Sequence, residues 1–295
     1  MRRRAAILFA FLLTLSTACG SDGPATAASS PLRVGIIPNI APDQQRARYQ
    51  PLGDYLSTRL GRPVELFVAS NYAGVVTALA AGQLDVAYLG GLTYAQAEKQ
   101  VPLVPVVTEV DRDTGTTRYL SAIVVRADSP LKSTRDLVAK GGSFAFGDPS
   151  STSGSLYPRL MLDAAGARCS TTTTDSCPPL SSVRFTGGHD ATALAVAGGR
   201  VDAGGVELRI LRRLEKAGTV KAGALRMLES RPVMGYPWVV RTTVGQPTID
   251  AVRDAFLALD DPTLLDLLRA EDYAAVGAAD YEEVRREATR LGLLK

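Results

Sequence analysis

Apolar residues along this chain follow two alternating patterns: short continuous apolar runs, and longer segments whose apolar positions recur with helical spacing. In the first part of the chain, the strand-like runs are residues 32–38, 64–69, 84–89 and 101–107. The segments with helical spacing between them are residues 44–60, 72–81 and 93–99. Strands and helices that alternate in this way predict an α/β fold with a parallel, doubly wound sheet.

The alternation resumes near Tyr119 and predicts a second unit of similar construction. Its strand-like runs are residues 119–125, 143–146, 183–186, 201–206 and 238–241. Helical segments are predicted after Ser133, after Gly154, over residues 190–197 and 208–217, and from Thr248 onwards. The sequence therefore indicates two α/β lobes rather than one continuous sheet.

The segment F-G-D-P-S-S-T-S-G, residues 146–154, is the strongest candidate for chemistry. A short strand leads into a Gly-Asp-Pro turn, then Ser151, Thr152 and Ser153, then Gly154 and a helical segment. The first N–H groups of a helix lack intrahelical partners and carry the positive end of its dipole. Hydroxyls there add donors, so the segment predicts an oxyanion site built without a cation. An ordinary Ser/Thr helix cap is the alternative.

The N-terminus has the pattern of an export signal. Three arginines at positions 2–4 precede an apolar run over residues 5–15, and small residues then lead to Cys19. We interpret residues 1–18 as a signal peptide and the small, polar residues 19–31 as a flexible tether. Cys19 resembles the lipobox cysteine of bacterial lipoproteins, which is lipidated and becomes the first mature residue. A plain secretory signal followed by a free cysteine is the alternative.

The chain contains three cysteines, an odd number for an exported protein. Lipidation of Cys19 would leave Cys169 and Cys177, which flank a Ser/Thr-rich segment, as a pair. A disulfide between them requires an oxidising compartment, and two reduced thiols are the alternative. With one histidine in the chain and no zinc-like cysteine spacing, we expect no metal or other cofactor.

The charge balance excludes one class of partner. The three arginines of the signal segment account for the formal net charge of +3. The mature chain is therefore near neutral, with no basic stripe, so we expect no nucleic-acid binding. No second apolar run is long enough to cross a membrane.

Polar or glycine residues follow several predicted strands directly, where ligands of open α/β sheets bind. These strand ends are Asn71-Tyr72, residues 90–93, residues 151–154, residues 187–190 and Glu207. Their motifs, in order, are N-Y-A-G (71–74), L-D-V-A-Y-L-G (84–90), D-P-S-S-T-S-G (148–154), G-H-D-A-T-A-L-A-V-A (188–197) and V-D-A-G-G-V-E (201–207). With these motifs the sequence resembles the phosphate/phosphite/phosphonate-binding subunits of ABC importers.

The resemblance implies a two-lobed periplasmic binding protein fold of type II, with two doubly wound lobes joined by two crossovers. We expect residues 32–118 together with 230–295 to form the first lobe and residues 119–229 the second. The family implies that six residues donate to the oxyanion: Tyr72, Tyr119, Ser151, Thr152, Ser153 and His189.

The resemblance also implies what faces the other end of the ligand. Glu207 is expected there, and Tyr236 replaces an acid found near a G-D-P segment in phosphonate binders. Because a carboxylate repels an oxyanion unless a proton or an ammonium group intervenes, Glu207 is expected to select the ligand. With Tyr236 in place of the acid, we expect a small or non-amino oxyanion rather than an aminoalkyl phosphonate.

These expectations combine into a substrate-binding lipoprotein of an ABC importer and not an enzyme. It would be anchored to the cell membrane through Cys19, face the outside or the periplasm, act as a monomer, and deliver its oxyanion to a permease. One alternative is a two-lobed receptor for another ligand, such as a sulfonate or an amine metabolite. Another is a hydrolase that uses Ser151 or Ser153 with His189 and Asp190, although the spacing differs from a nucleophile elbow.

Overall fold

The computed structural model describes residues 30–169 and 176–294, which form two mixed β-sheets with helices packed against them. The strands are β1 (Leu32–Ile36), β2 (Val64–Val68), β3 (Val86–Tyr88), β4 (Leu103–Asp111), β5 (Arg118–Arg126), β6 (Ser143–Phe146), β7 (Ser182–Phe185), β8 (Ala203–Glu207), β9 (Leu225–Met234), β10 (Trp238–Arg241) and β11 (Ala270–Ala275). The helices are α1 (Pro42–Leu60), α2 (Tyr72–Ala80), α3 (Gly91–Ala97), α4 (Thr134–Lys140), α5 (Tyr157–Ala164), α6 (His189–Ala197), α7 (Leu208–Lys216), α8 (Gln246–Leu257), α9 (Pro262–Leu268) and α10 (Glu282–Arg290).

The first sheet has the strand order β11-β4-β10-β3-β1-β2. β1 pairs in parallel with β2 and β3, but β10 pairs antiparallel with β3 and β4. The expectation of a purely parallel sheet is therefore wrong. The chain leaves the first sheet at the end of β4 and returns at the start of β10, on the same side of the sheet. β10 therefore runs in the opposite direction to β4. The C-terminal region, expected to be helical throughout, also contributes the antiparallel edge strand β11.

The second sheet has the order β7-β6-β8-β5-β9. β6 pairs in parallel with β7 and β8, whereas β5 pairs antiparallel with β8 and β9. The sequence pattern did not reveal β9, because Glu229, Ser230 and Arg231 interrupt its apolar positions. β9 is an edge strand that pairs with β5 alone, so charged residues are tolerated along it.

Two segments connect the sheets, residues 112–117 between β4 and β5 and residues 235–237 between β9 and β10. The chain leaves the first sheet, completes the second, and returns to the first. The predicted two-lobed architecture with two crossovers is confirmed. Because β9 pairs within the second sheet as far as Met234, we propose that the second lobe extends to this residue.

An aromatic cluster stabilises the first lobe beside the second crossover. Trp238 is fully buried, and its ring lies 4.5 Å from that of Phe256 and 4.9 Å from that of Tyr88. Tyr88 stacks in turn on Tyr236 at 5.1 Å. Aromatic pairs of this kind contribute stability in addition to that of the apolar area that they bury. The second crossover is therefore packed against a rigid part of the first lobe.

A disulfide joins Cys169, after α5, to Cys177, before β7. Residues 170–175 of the Ser/Thr-rich segment between them lie outside the described residues, as do the predicted signal, Cys19 and the tether as far as residue 29. Over the described ranges, no helix has both the length and the apolar character needed to cross a membrane.

We predict that the disulfide stabilises the second lobe modestly. The two cysteines are 8 residues apart, and closing so short a loop contributes about 2–3 kcal/mol in the chain-entropy model. The Cys169→Ser/Cys177→Ser protein should lose this much unfolding free energy in urea titrations. Reductant should lower the unfolding free energy of the wild type to that of the double variant and should leave the unfolding free energy of the double variant unchanged. Equal stability of all four samples would contradict the prediction.

Candidate functional site

The eight residues expected to contact a ligand lie together between the lobes, and all of them are buried. We call this set the interlobe cluster: Tyr72, Tyr119, Ser151, Thr152, Ser153, His189, Glu207 and Tyr236. Direct contacts connect its members. His189 bonds to the backbone of Glu207, Glu207 accepts from Tyr236, and the rings of Tyr236 and Tyr119 lie 5.1 Å apart.

The loop after β6, which we call the anion loop (residues 147–156), has the predicted cap but a different helix start. The Ser151 hydroxyl accepts from Gly154 N–H at 3.0 Å, and a π-helical turn over Thr152–Leu156 precedes α5. The helix was expected to begin after Gly154, so this expectation is corrected. Pro158 has no N–H to donate to the Gly154 carbonyl. That carbonyl accepts from Gly147 N–H at 2.8 Å instead, which closes the loop.

Ser153 presents a buried hydroxyl in the anion loop that is unpartnered in the described structure. Its side chain is fully buried, and its Oγ has no hydrogen-bond partner among the described residues. Its carbonyl accepts from the Ser121 hydroxyl of β5 at 3.0 Å, which fixes the backbone. Thr152 and Ser153 open the helical turn, so their N–H groups have no partner within it. The loop therefore concentrates uncharged donors at one point.

Gly154 brings the anion loop against His189. A Cβ at this position would lie 2.9 Å from the Ser151 Oγ and 3.2 Å from His189 Cε1. Both distances are shorter than ordinary van der Waals contact, so glycine allows the loop and the imidazole to approach each other. A larger residue at this position would place its Cβ between the loop and the histidine ring and push them apart.

His189 is held as a neutral hydrogen-bond donor. Its Nδ1 accepts from the Glu207 N–H at 3.2 Å, which places the ring proton on Nε2. Burial lowers its pKa to about 4, so the ring is uncharged near neutral pH. Nε2 is buried and has no partner within the described part of the chain. Because Nε2 carries the proton, it is not poised to act as the general base of a hydrolase.

Of the two predicted phenols, only Tyr119 has a hydroxyl without a partner among the described residues, because the Tyr72 hydroxyl is already used within the protein. Tyr119 is buried, and its hydroxyl finds no hydrogen-bond partner in residues 30–169 and 176–294. Tyr72 donates to Asn39 Oδ1 at 2.6 Å. Burial raises the pKa of both phenols well above the usual value, so they keep their protons. Asn39 was not predicted, although it follows β1 just as the predicted residues follow other strands.

The carboxylate of Glu207 already accepts hydrogen bonds from other side chains of the protein. Its Oε2 accepts from the Tyr236 hydroxyl at 2.6 Å, and its Oε1 accepts from Arg209 Nε at 2.7 Å. Arg269 Nε lies 3.4 Å from the same oxygen. Burial opposes the charged form, but the two guanidinium groups outweigh it and lower the pKa of Glu207 to about 2. The carboxylate is therefore ionised and already compensated.

The charge pairing extends past Glu207. Arg209 Nη2 donates to Glu109 Oε1 at 2.9 Å, and its Nε lies 3.2 Å from Asp111 Oδ2. We call Glu109, Asp111, Glu207, Arg209 and Arg269 the charged network. Sequence analysis missed all of these except Glu207. Arg209, two residues after Glu207, was a local signal that could have been used, whereas Arg269 is brought there only by the tertiary fold.

Hydrogen bonds across the cleft hold the lobes together at the interlobe cluster. Thr152 Oγ1 accepts from Leu92 N–H of α3 at 2.9 Å, and His189 N–H donates to the Asn39 carbonyl at 3.0 Å. Asp148 accepts from Tyr72 N–H at 3.2 Å. The N-termini of helices from both lobes thus meet at the same place, and the lobes are closed over the cluster.

A family model for the periplasmic substrate-binding protein of phosphonate ABC transporters matches residues 34–283. The chain belongs to this family. It is 33% identical over 254 residues to the phosphate-import protein PhnD of Mycolicibacterium smegmatis, an alignment that covers 82% of this chain and 77% of that protein. It is 28% identical over 256 residues to the phosphonates-binding periplasmic protein of Escherichia coli, covering 86% and 73% of the two chains.

The fold is also similar to the solved structure of PhnD1 from Prochlorococcus marinus in complex with methylphosphonate. The TM-score is 0.77 at 25% identity, and the match covers 88% of this chain and 98% of that one. The predicted type II periplasmic binding protein fold is confirmed. The prediction of a substrate-binding protein of an ABC importer, not an enzyme, is likewise confirmed by family membership. The family also implies a permease partner and an extracytoplasmic location.

We predict that His189, the single histidine of the chain, does not titrate between pH 8 and pH 5 in the folded protein. Its folded pKa of about 4 lies below the usual value of about 6.5. In that window the unfolded chain binds a proton that the folded protein does not, so unfolding free energy should fall as pH falls.

Imidazole NMR signals measured against pH test this prediction. The same histidine in urea-unfolded protein is the control and should titrate near its usual value. In His189→Asn, unfolding free energy should depend less on pH below about 6.5, since that proton is no longer taken up. A folded-state midpoint close to that of the unfolded chain would contradict the prediction.

Proposed function

We propose that the protein is a membrane-anchored receptor, lipidated at Cys19, which captures a small phosphorus oxyanion at the interlobe cluster and delivers it to an ABC permease. The candidate ligands are phosphate, phosphite and simple alkyl phosphonates. The protein would act as a monomer outside the cytoplasmic membrane. The lobes would open to admit the ligand and close around it by movement at the two crossovers, as hinged domains do.

The observation that carries this proposal is a convergence of buried donors that lack partners. These are Ser153 Oγ, Tyr119 Oη and His189 Nε2, none of which has a hydrogen-bond partner in the described structure. A buried polar group without a partner costs about 1–3 kcal/mol. Three such groups beside a helical N-terminus fit an oxyanion, which accepts several hydrogen bonds from different directions.

The charged network supports a ligand without an amine. Both oxygens of Glu207 are already bonded, to Tyr236 on one side and to Arg209 on the other. An aminoalkyl phosphonate would have to displace one of these partners in order to pair its ammonium group. The M. smegmatis relative named for phosphate import and the P. marinus structure with methylphosphonate agree with a small ligand.

The donor set further favours a singly charged anion. Hydroxyl, backbone and neutral imidazole donors bring no net positive charge to the site. A dianion would also be repelled by the Glu207 carboxylate more strongly than a monoanion. We therefore expect affinity to fall as the pH rises through the second ionisation of the ligand.

We predict that Ser153→Ala weakens binding of the preferred oxyanion about tenfold or more. A hydrogen bond to a charged group contributes about 1.5–3 kcal/mol, and 1.4 kcal/mol corresponds to a factor of ten. Ser150→Ala is the matched control, since Ser150 lies in the anion loop before the capped helical turn, is half-buried rather than buried, and its hydroxyl bonds to no described residue. Calorimetry with phosphate, phosphite, methylphosphonate, 2-aminoethylphosphonate and methanesulfonate measures both variants and the wild type.

The ligand panel separates the alternatives. We expect wild type to bind one of the first three compounds more tightly than the aminoalkyl phosphonate or the sulfonate. Preference for the sulfonate would favour the alternative receptor, and tight binding of the aminoalkyl phosphonate alone would overturn the proposed ligand class. If Ser153→Ala and Ser150→Ala bind equally well, the anion loop is only a helix cap.

We predict that Cys19→Ala abolishes membrane attachment. Without the thiol there is no site for the lipid, so the protein should be released or remain as an unprocessed precursor. Fractionation of cells that express wild type, Cys19→Ala or, as a control for cysteine loss, Cys169→Ser/Cys177→Ser measures this. A membrane-bound fraction that stays processed and undiminished in Cys19→Ala would exclude the anchor.

A further inference from the structure

A basic cavity of about 720 Å³ lies between the lobes beside the charged network. Helices α1 and α9 of the first lobe, α7 of the second, and the first crossover line it. Apart from Arg209 and Arg269 of the charged network, its charged lining consists of Arg48, Arg112, Arg212, Arg213, Lys216, Asp113 and Asp266. Five cations therefore face two carboxylates.

The two carboxylates are already paired. Arg112 lies 3.4 Å from Asp266, and Arg212 is paired with Asp113. Arg48, Arg213 and Lys216 have no carboxylate partner among the residues that the structure describes. The cavity thus presents about three positive charges that the protein does not neutralise locally.

The cations are also crowded together. Arg213 donates to the Leu267 carbonyl at 3.0 Å, at the end of α9. Burial and the neighbouring Arg269 and Arg48 lower the pKa of Arg213 to about 10, so it is still charged at neutral pH. Like charges held this close repel one another. An anion bound between them would replace this repulsion with attraction.

A second observation also indicates a ligand. Arg209 lines the cavity, its side chain is 6% exposed, and its Nη1 is buried without a hydrogen-bond partner in the described chain. The other nitrogens of this guanidinium bond to Glu207 and Glu109. One donor of the charged network is therefore unused, and its side chain borders the cavity.

We propose that this cavity is a second anion site, separate from the interlobe cluster, for a small multiply charged anion of the condensed-phosphate class. Three unpaired cations match an anion with several charges, and guanidinium groups bind phosphate oxygens in pairs. The volume lies within the usual range for small-ligand sites. Because both lobes line the cavity, an anion bound there stabilises the closed arrangement.

Inorganic triphosphate is the probe, and calorimetry at low salt measures its binding to the mature protein. We expect Arg48→Gln/Lys216→Gln to weaken binding at least tenfold. The side chains of Arg48 and Lys216 make no hydrogen bond or ion pair with another described residue, so the fold should be kept. Arg46→Gln/Lys221→Gln removes the same charge from outside the cavity and should change affinity less than twofold. Thermal unfolding checks that both proteins are folded.

The two anion sites are distinguished by Ser153→Ala. This variant should bind triphosphate as well as the wild type, and saturating methylphosphonate or phosphate should not displace the probe. Loss of triphosphate binding in Ser153→Ala, or competition with those ligands, would place the probe in the interlobe cluster and overturn the proposal. Absence of binding to wild type, equal loss in both charge variants, or equal affinity for citrate would also overturn it.

Discussion

The neutralisation of Glu207 determines how the rest of the cleft is arranged. A carboxylate that is fully buried next to a site for an anion would ordinarily repel the ligand or take up a proton. Here Arg209 and Tyr236 bond to it, Arg269 lies within ion-pair distance, and its pKa falls to about 2. The positive charge of Arg209 and Arg269 therefore neutralises the protein's own acids, and the donors that we propose for the oxyanion are uncharged.

Hydrogen bonds within the protein hold two of the proposed donors, His189 and Ser153, in place. Glu207 contributes its backbone N–H to His189 and its carboxylate to Tyr236, so a single residue orients both an imidazole and a phenol. Ser121 fixes Ser153 from the neighbouring strand. Donors that are already oriented avoid the reorganisation that binding would otherwise require, and this would allow the proposed site to hold an anion without a cation.

Much of the fold could be predicted from the sequence, because most of its strands and helices have clear apolar periodicity. Two strands were missed for local reasons, and the direction of a third could not be read locally. The polar stretch of β9 concealed an edge strand, and β11 was concealed within a region of helical pattern. The antiparallel direction of β10 depends on the second crossover, which no local pattern reports. The family resemblance pointed to the eight residues of the interlobe cluster, since most of them follow strands in recognisable motifs, and their role as ligand donors stays a prediction.

The charged network shows what sequence alone could not reveal. Glu109 lies within a strand and Arg269 at the end of a helix, and they meet near Glu207 only because three distant segments pack together. Nothing in the motifs indicated that Glu207 was already paired. Whether a carboxylate selects a ligand or supports the protein is decided by its neighbours in space, and these come from the tertiary fold.

The contacts across the cleft have a consequence for how such a receptor can change. All three contacts described above use main-chain atoms on one or both sides: the Leu92 N–H bonds to Thr152, the Tyr72 N–H bonds to Asp148, and the His189 N–H bonds to the Asn39 carbonyl. Backbone groups of this kind persist through most substitutions. Residues that we propose to face the far end of the ligand, such as Tyr236, can therefore be replaced while the lobes still meet in the same relative position. Ligand preference can diverge in evolution while the outer surface presented to a transporter is conserved.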